Sequence, residues 1–366
     1  MNSSGKTALL HYWLTGMRGG ENVLAELCRH FPDAEIFTHA AIPENLSPEI
    51  TKHPIHESFV ARLPWGRKHC RSYLPLMFSA SRKWDLSPFD LIFSSESGPA
   101  KAIRKPEQSK HICYCHTPMR YLWDMYDEYY CSASLLGKAA MRLFRDSLRE
   151  QDKRSAECVD LFLANSRFVA ERIKRIYGRD SEVIYPPVDV DFFSAAPARE
   201  RTGFLFVGEL VCYKRPDLVL DAFARLQKEK LFVCGKGPMR RELEKRATPN
   251  VRFLDHVSRE ELRELYAGAK ALIFPGIEDF GIVPVEAMAA GCPVIAMDRG
   301  GTAETVLHGK TGLLMEQQTS ACILNALEEL SSLHFLPEDF KAQTAKFHGR
   351  NFHAGIEKAL SRIVRG

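Results

Sequence analysis

The chain is short of several things at once, and each shortage narrows what it can be. No uninterrupted apolar run approaches the roughly 20 residues that a spanning helix needs, and the opening stretch Met1 to Lys6 has no apolar core of a secretory leader. A cytosolic protein is the expectation. No internal repeat and no low-complexity segment is present, which excludes solenoids and long disordered tails. The glycines of Thr15-Gly16-Met17-Arg18-Gly19-Gly20-Glu21 do not stand in G-x-G-x-x-G order, so an oxidoreductase loses its best support. No Asp-x-Asp stands beside a phosphate-type loop, and the sequence asks for no metal and no cofactor. Cys113-Tyr114-Cys115-His116 has the look of metal chemistry, but no second Cys/His cluster with zinc spacing follows. Without a leader, the 10 cysteines read as reduced and mostly buried thiols.

One shortage is local. From Ser58 to Trp84 there is no Asp or Glu, while Arg62, Arg67, Lys68, Arg71, Arg82 and Lys83 alternate with large apolar residues such as Phe59, Trp65, Tyr73 and Trp84. That mixture suits an anionic membrane surface. It equally suits two amphipathic helices whose charged faces are basic. Nucleic acid is not indicated, because no nucleic-acid module accompanies the stretch.

What is present describes an α/β protein of two domains. A length of 366 residues exceeds one ordinary core, and 45% hydrophobic with 26% charged residues is usual for a globular chain. Short apolar runs at Ala8–Leu14, Glu35–His39, Leu91–Ser94, His111–Tyr114 and Leu161–Asn165 read as strands, with helices at Asn22–His30, Ser147–Val159 and Arg167–Tyr177. Val183-Ile184-Tyr185-Pro186-Pro187 is a stiff connector, since two prolines fix their own angles and disfavour helix before them. Boundaries follow at 1–185, 186–340 and 341–366. The second domain alternates in the same way, with strands at Gly203–Val207, Leu231–Cys234, Val251–Asp255, Val294–Met297 and Gly312–Met315.

The most informative stretch is Ala271 to Gly291, ALIFPGIEDFGIVPVEAMAAG. A buried strand is stopped by Pro275-Gly276, and a helix begins near Gly281 whose first amide groups and positive dipole end can hold a phosphate or a sugar hydroxyl. Glu278 precedes the helix and Glu286 lies within it, so both can face one ligand. Cations beyond a strand end, as in Gly208-Glu209-Leu210-Val211-Cys212-Tyr213-Lys214-Arg215, can neutralise a diphosphate whose charge grows as a sugar leaves.

Glu278 and Glu286, with Phe280-Gly281 between them and Gly291-Cys292-Pro293 after, resemble the E-x7-E signature of the retaining GT4 glycosyltransferases. The run CHTPMRYLWD from Cys115 to Asp124 resembles the O-antigen and exopolysaccharide mannosyltransferase branch. The resemblance implies a GT-B fold: two Rossmann-like domains with a cleft between them and a C-terminal helix crossing back. It implies that Glu278 contacts the donor sugar, that the backbone of Phe280, Gly281, Ile282 and Val283 meets sugar and phosphate, and that Glu286 holds the ribose. Gly19, Gly20 and Gly208 would lie near the donor phosphates, with Lys214 and Arg215 as their cations. The backbone near Gly235 and Val257 would line the nucleoside. His116 would sit by the reacting carbon, with Arg120, Tyr121 and Trp123 shaping the acceptor end. Family members carry Arg where this chain has Glu209, which leaves Arg215 or Arg18 as the substitute.

The expectation is therefore an enzyme that moves a hexose, mannose from GDP-mannose, to a lipid-linked or saccharide acceptor in surface-polysaccharide synthesis. The nucleotide-sugar donor is a substrate and no cofactor is implied. A peripheral position on the inner face of the cell membrane fits the basic stretch. A sugar-nucleotide epimerase, a UDP-sugar transferase and a non-catalytic nucleotide-sugar-binding scaffold are the alternatives, because fold alone does not separate them.

Overall fold

The computed structural model describes residues 5–197, 199–255 and 257–365, so His256, beside the expected nucleoside loop, and Met1 to Ser4 lie outside the described residues. The chain divides into two compact units, one running up to Pro187 and taking in the residues from Phe352 on, the other spanning Val188–Asn351. The second division falls at Phe352 and not at 341, because the helix Pro337–Thr344 buries Phe340 and hands the Gln343 side-chain amide to the Thr305 carbonyl at 2.7 Å.

The first unit is built on a parallel seven-stranded sheet in the order Ile55–Glu57, Glu35–Thr38, Thr7–His11, Leu91–Glu96, Lys110–Cys115, Leu161–Ala164 and Ser181–Val183. Strands covered on both faces carry continuous apolar side chains, as Leu9, Ile92, Phe93, Ile112 and Phe162 do here. The two short edge strands at Ile55–Glu57 and Ser181–Val183 escape a sequence reading, since three residues carry no period. Helix Arg167–Tyr177 shows how local signals build the layer. The Ser166 hydroxyl accepts the Val169 amide at 3.1 Å, Val169, Ile173 and Ile176 face the core, and Gly178 ends the helix at φ 68°. Phe352, Ile356, Ala359 and Leu360 of the helix Gly349–Arg365 complete the same core beside Leu9 and Tyr114.

The second unit has a parallel six-stranded sheet in the order Val251–Leu254, Leu231–Cys234, Phe204–Val207, Leu272–Phe274, Val294–Met297 and Gly312–Met315. In both sheets the strand order reverses once, between Thr7–His11 and Leu91–Glu96 in the first and between Phe204–Val207 and Leu272–Phe274 in the second. Such reversals open a crevice at the carboxyl ends of the strands where ligands collect.

Two stretches differ from expectation. The charged helix expected over Ser147–Val159 runs instead over Leu135–Ser155, because Ser134 caps it by accepting the Gly137 amide at 3.2 Å. Ser58 to Trp84 forms two single turns, Phe59–Arg62 and Cys70–Tyr73, and one helix, Leu74–Ser81, in place of two amphipathic helices. Its cations are partly spoken for: Arg67 pairs with Glu57, Arg71 lies 5.2 Å from the centre of the Trp13 ring, and Lys83 lies 5.0 Å from that of Phe59. All 10 cysteines are free thiols, and among the described residues no helix is long and apolar enough to cross a membrane.

Candidate functional site

At the reversal of the first sheet, the strand ending at His11 lies beside the one ending at Glu96, with His11 in register with Ser95. Gly20 opens the next helix against these ends, and a side chain there would put its Cβ 2.8 Å from the Tyr12 hydroxyl and 3.5 Å from His116 Nε2. Only glycine fits. The Glu21 carboxylate accepts the Arg18 amide at 3.1 Å, which caps the helix Gly19–His30 from within and occupies its positive end with a resident charge.

His116 follows directly on the next strand, with its amide bonded to the Glu96 carbonyl at 2.9 Å and its carbonyl held by the Asn165 side-chain amide at 2.9 Å. Its Nε2 meets the Ser95 hydroxyl at 2.9 Å. Burial lowers its pKa to about 3 and the neighbouring His11 adds to this, so the ring is neutral near pH 7. His11 is a residue that sequence reasoning missed. It is fully buried, neither ring nitrogen has a hydrogen-bond partner, and Nε2 lies 3.9 Å from the Glu21 carboxylate. Its one legible signal was its position, the last residue of the first strand.

The three residues expected at the acceptor end fare differently. Trp123 is engaged within the unit, donating its indole N–H to Asp152 at 2.7 Å with Arg149 and Lys153 at 4.9 and 5.4 Å from its ring centre. Asp152 also takes Lys101 at 2.6 Å and the Tyr177 hydroxyl at 2.9 Å, and Lys101 reaches Glu96 at 3.0 Å. This enclosed ion network fixes the loop that follows His116. Tyr121 is enclosed enough that burial raises its phenol pKa well above the usual value. Arg120 keeps a partly open position in the same loop, its carbonyl accepting the Met125 amide at 3.0 Å.

At the reversal of the second sheet the glycines are packed backbone to backbone. A Cβ on Gly235 would stand 1.9 Å from the Gly208 carbonyl oxygen, and one on Gly276 would stand 3.0 Å from the Lys214 Cα. This close approach presents Lys214, whose ammonium meets the Glu278 carboxylate at 3.0 Å with both side chains mostly shielded. Arg215 is less available than expected. It sits in the left-handed region at φ 54° and pairs with Asp217 at 2.9 Å, so it can replace the missing arginine only by leaving that partner. Glu209 itself is exposed.

The helix after Glu278 runs Ile282–Ala289, entered through Gly281 at φ 86°. In its first turn the Ile282 and Val283 amides have no partner within the helix and Pro284 has no N–H to offer, so two amides are available to an anion. Phe280 is buried, its ring 5.5 Å from that of Phe347. Gly300 and Gly301 hold the Glu278 loop from behind: the Gly301 amide donates to the Glu278 carbonyl at 2.9 Å, and a Cβ on either glycine would strike that backbone. Glu286 accepts the Tyr266 hydroxyl at 3.3 Å, and burial raises its pKa to about 7. Val257 lines a groove with Phe253, Leu254 and Leu265, and Gly235, after the neighbouring strand, packs on Gly208. Among the described residues no three His, Cys, Asp or Glu side chains converge as a metal site would need.

Similarity to solved structures defines the fold class. The Anabaena protein HepE, solved in complex with UDP-glucose, superimposes with a TM-score of 0.73 at 18% identity, covering 97% of this chain and 99% of that one. Sucrose-phosphate synthase from Thermosynechococcus elongatus does so at 0.72 and 19%, covering 99% of each. This is the GT-B fold. Residues 17–192 match the family model described as Glycosyltransferase Family 4, and residues 188–347 match that of Glycosyl transferases group 1. Each of these two matches covers a little under half of the chain. Curated relatives include D-inositol 3-phosphate glycosyltransferases from Streptomyces bingchenggensis, 32% identical over 206 residues or 47% of this chain, and from Mycobacterium sp. strain KMS, 33% identical over 182 residues or 43%. The matches span less than half of these relatives, 45% and 41% of their lengths.

Proposed function

We propose that the protein is a retaining glycosyltransferase that moves a hexose from a nucleotide-sugar donor to an acceptor hydroxyl. The carrying observation is the shielded Lys214–Glu278 pair beside the amino end of the helix Ile282–Ala289. A diphosphate there would meet one ammonium and the Ile282 and Val283 amides, and would loosen Lys214 from Glu278, freeing the carboxylate to accept sugar hydroxyls. In the reaction the bond from the anomeric carbon to the phosphate oxygen breaks and a bond to the acceptor oxygen forms on the same face. The acceptor proton goes to the leaving phosphate, whose growing charge Lys214 stabilises. Glu286 would take the ribose hydroxyls. His116, neutral and held by Ser95, would act by hydrogen bonding near the sugar and not as a proton donor.

For the finer assignment we read the sugar as mannose, the donor as GDP-mannose and the acceptor as a lipid-linked or other saccharide of a surface polysaccharide. The support is the resemblance of the Cys115 to Asp124 run. A UDP-hexose donor is the second reading, favoured by the HepE structure, which holds UDP-glucose. Incubating the protein with GDP-mannose and UDP-glucose in turn, and measuring released nucleoside diphosphate, separates the two. Faster GDP release is expected. Faster UDP release moves the assignment to the second reading, and release of neither nucleotide with any NDP-hexose, even when acceptor saccharides are added, rejects the transferase.

A further inference from the structure

The helix Leu135–Ser155 is two different objects joined end to end. Its last turns are interior: Leu148 packs in the cluster of Phe78, Met119 and Leu122, and Asp152 holds the buried ion network. Its first turns bury nothing. Leu135, Leu136 and Leu143 are 86%, 84% and 75% exposed, Ala139 and Ala140 are exposed between them, and Phe144 adds to the same stretch. At 100° per residue, positions 135, 136, 139, 140 and 143 fall within one face of the helix. Isolated exposed leucines need no explanation, but five adjoining apolar positions on three successive turns are a patch, and patches mark contact surfaces.

Charge identifies the occupant. From Tyr129 to Arg145 the chain contains no Asp or Glu, while Lys138, Arg142 and Arg145 are present. These cations lie against the aromatic rings of the preceding helix, Lys138 and Arg142 at 5.7 and 5.2 Å from the centre of Tyr130 and Arg145 at 4.2 Å from that of Tyr126. By helical spacing they lie along one edge of the apolar face, and Asp146 is the first acidic side chain beyond it. A second copy of this chain would bring like charges together at the contact. A lipid surface with anionic headgroups supplies opposite charge at the rim and hydrocarbon at the centre, which is how interfacial helices bind.

We infer that residues 135–144 are an interfacial helix that seats the first unit on an anionic bilayer. For its purpose this rests on the lipid-linked-acceptor reading, but its test does not. It also moves the membrane contact away from Ser58 to Trp84. There Met77 and Phe78 are interior and Arg67 is paired, and Trp65 alone among the aromatics is largely exposed.

The test uses the full chain and sedimentation with vesicles of phosphatidylcholine alone or with phosphatidylglycerol. Wild type is expected to bind the anionic vesicles at low salt, and to lose about fivefold in partition for each headgroup contact screened out as salt rises. Leu136→Asp with Leu143→Asp, both fully tolerable at exposed positions, is expected to lower binding at least tenfold with unchanged melting and unchanged nucleotide affinity. Arg67→Glu with Arg71→Glu is expected to lower it by no more than about fivefold. Failure of wild type to bind anionic vesicles overturns the inference. So does equal binding by the Leu136/Leu143 double variant. A concentration-dependent dimer that the same double variant abolishes, with vesicle binding intact, assigns the face to self-association instead. Vesicle binding by a protein that releases no nucleoside diphosphate keeps this inference and rejects the transferase, so the two readings fail separately.

Discussion

The two sheet reversals are alike in topology and opposite in chemistry. In the first unit the Lys101, Glu96 and Asp152 network is locked beneath the surface, and the groups at the strand ends are imidazoles and hydroxyls, His11, His116, Ser95 and Tyr12, with the Glu21 carboxylate behind His11. In the second unit the strand ends carry the charge themselves, as Lys214 against Glu278, and the shaping is done by glycine backbones. One arrangement suits hydroxyl groups, which ask for short, well-aimed hydrogen bonds. The other suits a phosphate, which asks for charge and free amides. The lesson is that a doubled fold leaves the ligand class to be decided by a few residues at each reversal.

The largest expected break in this comparison is Lys101→Met. It strands two carboxylates in the interior of the first unit, a loss on the order of 3–5 kcal/mol. Because Trp13, Trp65, Trp84 and Trp123 are all in the first unit, tryptophan fluorescence during urea unfolding reads that unit alone. An unmoved midpoint would show that the network is idle. Next comes Lys214→Ala, expected to slow donor turnover by about 10²-fold or more, as loss of a preorganised charge does. Steady-state rates with saturating donor measure it, and an unchanged rate removes Lys214 from the reaction.

His116→Ala sharpens the contrast, because it is expected to abolish most transfer while calorimetry with free GDP finds its affinity unchanged. Glu278→Gln should behave likewise, and Glu286→Ala should weaken nucleotide itself. Equal GDP losses in the Glu278 and Glu286 variants would undo the division of roles. The smallest effect is the pH response of Glu286. Its folded pKa of about 7 lies above the ordinary 4.5, so its contribution is fully present below pH 4.5 and is lost as pH rises through 7. Melting temperatures of wild type and Glu286→Gln across pH 4.5 to 8 should diverge in that sense. Nucleotide affinity should move oppositely, rising toward pH 8 as the carboxylate that accepts ribose hydroxyls forms.

Much of this was legible from the chain. Buried strands such as Val294–Met297 and Gly312–Met315 print as continuous apolar runs, and Glu278, Gly281 and Glu286 lie close enough together to be read as one motif. What escaped was long-range pairing. Lys101 and Asp152 are 51 residues apart, and nothing local announces that they meet. His11 looked like strand filler because its neighbours Glu21 and His116 come from other elements. The start of the helix at Leu135 was missed although Leu135, Leu136, Ala139, Ala140 and Leu143 fall at helical spacing.

The helix Gly349–Arg365 carries a consequence for biosynthesis. Phe352, Ile356, Ala359 and Leu360 belong to a core whose other members lie before Pro187, and the whole of Val188–Asn351 is made in between. At about 5–20 residues per second, a ribosome spends roughly 10–30 s on that interval. For all of it the first unit waits with an apolar seat open beside Leu9 and Tyr114. Chains arrested before Phe352 are accordingly expected to be cut within the first unit by protease and bound there by chaperone, while chains released after Leu360 resist both.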